Sequence, residues 1–77
     1  MLEQYNAVFE EMFEDELEEI QLEDLRFGQA GWDSVTSADL MTLLEQTFQI
    51  RVSREDKMDF NSYLKGIEIL RKYGVKL

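Results

Sequence analysis

Leu40, Leu44 and Phe48 recur at four-residue intervals with Met41 beside them, soon after the segment Gly31-Trp32-Asp33-Ser34-Val35. That spacing gathers the apolar side chains on one stripe of a helix, whereas a strand would send alternate residues to opposite faces. Gly31 breaks the irregular segment ahead of it. Asp33 or Ser34 then supplies the short polar side chain that accepts a hydrogen bond from a free N–H of the first turn. The helix is expected to run to about Phe48. On local chemistry alone, Asp33-Ser34 is a helix start and nothing more. The other side of the helix is less ordinary. Val35, Ala38, Asp39, Thr42, Glu45 and Gln46 fall opposite the stripe, a mixture of small apolar and acidic residues. A merely solvated face carries long charged side chains instead. A serine at a helix N-terminus also suits a phosphate ester, because the free N–H groups and the helix dipole both favour an anion.

The remaining periodicities are helical as well. Leu2, Tyr5, Phe9, Met12 and Phe13, with Val8 alongside, step by three and four residues and predict an amphipathic helix over about residues 2–15. Glu3, Glu10, Glu11 and Glu14 hold its polar side, which anionic lipid would repel, so the stripe is read as core. Residues 16–31 follow neither period. Leu17, Ile20, Leu22, Leu25 and Phe27 are expected to pin a long connection to the core, with room for a turn of helix. A loop of that length in so small a domain signals function or firm anchoring. The acids of residues 14–19 lack the alternating oxygen ligands and the glycine of a calcium loop, so no metal is expected.

Beyond the central helix, Ile50 and Val52 turn inward from a short connection. Ser53 caps a short helix over about residues 54–59, with Glu55 and Asp56 in its first turn. Phe60 anchors the chain, and Asn61-Ser62 caps a last helix over about residues 63–73. Tyr63, Ile67 and Leu70 are placed inside, flanked by Leu64 and Tyr73. Arg71 and Lys72 suit the negative end of the dipole, and Gly74 ends the helix. Residues 1–77 are thus expected to form one all-α domain, a three- to four-helix bundle with a long loop between its first two helices.

Composition narrows the chemistry. The 77 residues include neither cysteine nor histidine. Disulfides, a thiol nucleophile, the usual general base and the commonest metal ligand are therefore missing. A hydrolase using Ser34 and Asp33 would lack the base that activates a serine, so no catalytic residues are expected and the chain is not read as an enzyme. Residues 1–30 hold ten acids and one base, and the net charge is −9. Only residues 51–77 carry an excess of bases, seven against four acids. Such a balance excludes nucleic acid as the natural partner and favours proteins with basic docking patches. No apolar run approaches the roughly 20 residues of a membrane span. A basic-then-apolar leader pattern is also absent from the first residues, so a cytoplasmic monomer is expected.

Asp33-Ser34-Val35 resembles the Asp-Ser-Leu motif of acyl carrier proteins, whose serine carries 4′-phosphopantetheine. The resemblance runs without a gap through Leu44-Glu45-Gln46-Thr47-Phe48-Gln49-Ile50 to Leu70. It is specific over residues 31–70 and architectural over residues 1–30, where carrier proteins also have a long first loop. It implies that Ser34 is the attachment site, with Asp33 completing the motif as helix cap. Val35, Ala38, Asp39, Thr42, Glu45 and Gln46 would then meet the modifying and acyl-handling enzymes. The implied partners are a phosphopantetheinyl transferase, a ligase or transferase that loads an acyl or aminoacyl group, and downstream biosynthetic enzymes. Thr42, Ala38 and Gln46 depart from the methionine, valine and acid usual in fatty-acid carriers, and Arg51, Arg54 and Lys57 make the third-helix region less acidic. The segment Gly31-Trp32-Asp33-Ser34 looks more like discrete carriers of specialised pathways than the housekeeping type. The rival reading is an unmodified helical adaptor that docks a basic partner through its acidic surface.

Overall fold

Each apolar period becomes a helix in the computed structural model, which describes residues 2–77. The helices are α1 (Leu2–Met12), α2 (Ser34–Phe48), α3 (Arg54–Asp59) and α4 (Tyr63–Lys72). Between α1 and α2 the chain makes two short 3₁₀ turns, Glu16–Glu18 and Leu22–Asp24. Among the described residues there is no strand, only an isolated antiparallel bridge between Arg26 and Ser62. The protein is a small all-helical bundle.

Helix α1 stops at Met12, short of the expected residue 15. The Phe13 and Leu17 N–H groups still reach back four residues, to Phe9 O at 2.8 Å and Phe13 O at 3.0 Å, before the backbone tightens. Glu10, Glu11, Glu14 and Asp15 crowd this end, where the helix dipole is already negative, so further α-helix is disfavoured. Leu2, expected on the inner stripe, is exposed. In the connection Leu25 is fully buried, and Leu17, Ile20 and Leu22 pack partly against the core.

Trp32 is one of the largest fully buried side chains of that core, although it lies outside every helix. Its ring is 1 % exposed and sits 5.7 Å from Phe9, 5.6 Å from Phe13 and 5.3 Å from Phe60, centroid to centroid. Removing a ring of this kind costs about 3–5 kcal/mol. That is comparable with the total stability of a small domain, about 5 kcal/mol. The chain two residues ahead of α2 is therefore pinned in the core.

The inner face of α4 is close to the expected one, with Tyr63 and Leu70 inside and Ile67 giving way to Gly66 and Ile69. Tyr63, Gly66, Ile69 and Leu70 are buried, Ile67 is only half-buried and Leu64 is exposed. Gly66 sets how closely the helix approaches its neighbours. A Cβ there would run into Tyr5 Oη and lie 2.7 Å from Phe60 Cε1, so its bare backbone lets both rings press against the helix. Tyr5 Oη donates to Tyr63 O, and Tyr63 Oη donates to Asn6 Oδ1.

Asp56 ties α3 to the end of α4. This buried carboxylate accepts from Tyr73 Oη, from Lys72 Nζ at 3.0 Å and from Ser53 Oγ at 3.1 Å. The Tyr73 hydrogen bond first, then that of Lys72, hold its carboxyl below the usual carboxylate range. Lys72 thus does more than answer the helix dipole.

Candidate functional site

The site grows from the chain that leads into α2. Phe27 N–H donates to Asn61 O at 2.8 Å and Tyr63 N–H to Leu25 O at 3.1 Å, which straps the loop to the start of α4. Gly28 N–H and Trp32 O then close a turn at 2.8 Å, through Gly31 at φ +78°, where a side chain would be strained. With Trp32 driven inward, the next residues emerge at the surface in fixed order.

Asp33 is extended, and its Oδ1 accepts from Thr36 N–H at 2.9 Å. Asp33, not Ser34, is the cap of α2. The Thr36 backbone hydrogen bond is the main reason its carboxyl lies below the usual range. Ser34 is left as the first helical residue, exposed, and among the described residues its hydroxyl has no hydrogen-bond partner. The other three serines are all engaged. Ser37 Oγ donates to Phe60 O at 3.3 Å, while Ser53 and Ser62 cap α3 and α4.

Ser34 stands at the edge of a groove of about 500 Å³ between α2 and α3. Ala38, Met41 and Thr42 form one wall, and Met58 and Phe60 belong to the other. Phe27 closes one end. It is 47 % exposed, so it does not anchor the connection as expected. Asn61 O takes its N–H and holds the backbone down, while the ring is left to the groove. Met58 is 77 % exposed, and no sequence pattern singled it out. A lone apolar residue in a six-residue polar helix is a faint signal of this kind.

The groove also carries Arg54 and Lys57 and no carboxylate. Lys57 is neutralised by Glu45 at 3.5 Å. Among the described residues the Arg54 guanidinium has no ion-pair or hydrogen-bond partner. In a chain with 17 acids and eight bases this is a local inversion of charge.

The six expected recognition residues lie on the side of α2 away from the core stripe, five of them exposed and Glu45 half-buried. Ala38 and Thr42 line the groove with Ser34, and Thr42 Oγ1 donates back to Ala38 O at 3.0 Å. Val35, Asp39 and Gln46 are exposed, Val35 by 70 %. Glu45 lies beside Thr42 and Gln46. It accepts from Val52 N–H at 2.9 Å and pairs with Lys57, so it fastens the connection between α2 and α3. Its carboxylate is thus already engaged within the chain, unlike that of Asp39.

No family model, curated protein or solved structure matches the chain. Among the described residues no helix is long and apolar enough to cross a membrane, and no cluster of acidic side chains is placed to hold a metal.

Proposed function

We propose that this chain is a carrier protein, with Ser34 as the residue whose hydroxyl accepts 4′-phosphopantetheine from coenzyme A as the pyrophosphate bond breaks and adenosine 3′,5′-bisphosphate leaves. The observation that carries the reading is that Ser34, alone among the four serines, offers an exposed hydroxyl with no partner among the described residues. It does so beside an apolar groove, at the start of a helix anchored by Trp32. Asp33 has its carboxylate committed to Thr36 N–H. Ser34 is therefore an acceptor whose proton is taken by a transferase, not a nucleophile activated within this chain. The residues present fit the group: the hydroxyl can form the phosphodiester, and Ala38, Met41 and Met58 give an apolar surface along which an arm can lie. The arm supplies a terminal thiol, which the cysteine-free chain lacks, to carry an acyl or aminoacyl thioester. Tethering keeps the cargo at high effective concentration for successive partner enzymes.

The test is intact mass after incubation with coenzyme A and a broad-range phosphopantetheinyl transferase. Wild type is expected to gain one arm. Ser34→Ala is expected to gain none while its circular dichroism stays that of wild type, because Asp33 retains the cap. A Ser34→Ala protein that still gains the full mass refutes the site. Wild type that gains none across several transferases favours the unmodified adaptor.

A further inference from the structure

We infer that Arg54 is the residue that holds the phosphodiester formed on Ser34, so that the arm is laid into the groove instead of leaving Ser34 into solvent. The inference rests on the carrier reading and names how this chain receives the arm. Three observations carry it. Arg54 and Ser34 line one groove, so an anionic ester on Ser34 Oγ is formed at a groove to which Arg54 also contributes. No acid lines that groove, and the second cation, Lys57, is already taken by Glu45. Arg54 is exposed and, among the described residues, its guanidinium has no ion-pair or hydrogen-bond partner, so it is free to turn to an anion. A guanidinium is matched to phosphate oxygens by its planar fork of N–H donors, which an ammonium cannot reproduce. The apolar walls beside it, Met41 and Met58, then receive the uncharged part of the arm. Arg54 is thus a positioning residue, and the arm's direction is set by charge at one end and apolar contact along the rest.

The experiment compares apo protein with holo protein bearing a free thiol, so that no cargo carboxylate is present. The variants are wild type, Arg54→Gln, Arg54→Lys and Lys57→Gln. Arg54 is exposed and has no partner among the described residues, so its replacement should leave the apo fold and melting temperature near wild type. Modification of wild type should raise the melting temperature by about 1–5 °C at low salt, the range of one exposed ion pair in a domain of this size. That rise should be lost in Arg54→Gln, partly kept in Arg54→Lys, kept in Lys57→Gln, and suppressed by salt. The phosphorus resonance of the holo protein should shift on Arg54→Gln and not on Lys57→Gln. Holo Arg54→Gln with an undiminished thermal increment and an unmoved phosphorus resonance overturns the assignment while leaving the carrier reading intact. Wild type that takes up no arm overturns both.

Discussion

Gly66→Ala is the most direct test of how the bundle is closed. In the middle of an exposed helix this change would stabilise by about 1 kcal/mol through propensity alone. Here the new methyl would meet Tyr5 Oη and Phe60 Cε1, and neither atom is the free end of a flexible side chain. Both rings are fully or almost fully buried, so one of them or α4 itself must move. Overpacking of this kind costs about 1–3 kcal/mol. Displacing Tyr5 also breaks its hydrogen bond to Tyr63 O and strands the buried Tyr5 hydroxyl, about 1–3 kcal/mol more. The net expectation is a loss of about 1–5 kcal/mol, with a melting temperature lower by about 4–8 °C per kcal/mol. Thermal and urea melts followed by circular dichroism measure it. The cycle with Tyr5→Phe separates causes: deleting Oη removes the worst clash, so the double variant should be more stable than the two single losses predict. Phe60 still obstructs, and recovery should be partial. A Gly66→Ala melt at or above wild type, or a cycle additive to within about 0.5 kcal/mol, would refute the close-approach explanation.

Two further expectations concern single side chains. Asp56 has a folded-state pKa below its unfolded value near 3.9, so its stabilisation is complete above that value and is lost as pH falls through the folded one. Asp56→Asn should lower the melting temperature at pH 7, and its difference from wild type should shrink as pH drops below about 4; a difference that stays constant down to pH 3 contradicts the network. Asp39→Lys should slow modification by a basic transferase at low ionic strength without disturbing the fold, since Asp39 is exposed and off the core stripe. Glu45→Lys should instead cost about 1–3 kcal/mol by leaving the Val52 N–H unpaired, and equal melting temperatures for the two variants would refute that division.

Helix α3 spans the expected residues 54–59, and α2 runs from Ser34 to the expected Phe48, because their caps and periods are local. Ser53 and Ser62 cap as read, since a cap needs only its own side chain and the next three residues. Ser34, as a helix-opening serine beside an aspartate, was equally legible. Its groove was not. Phe27 reads as an anchor because an apolar residue in a loop usually packs. What exposes it is a backbone bond to Asn61, 34 positions further along the chain.

What the sequence determined by itself is therefore the set of helices, their caps and the residue exposed at the head of α2, all products of interactions within about four residues. Tertiary structure alone decided which polar groups are free. Glu45, Asp39 and Asp56 are alike as isolated acids, yet one fastens a connection, one faces solvent and one is buried against Tyr73 and Lys72. It also decided that Trp32, with no period to place it, fills the core, and that Gly66 sets how closely α4 approaches Tyr5. The reason is physical. A side chain's partner, and the space left beside it, depend on segments distant in the chain, and those meet only when the bundle closes.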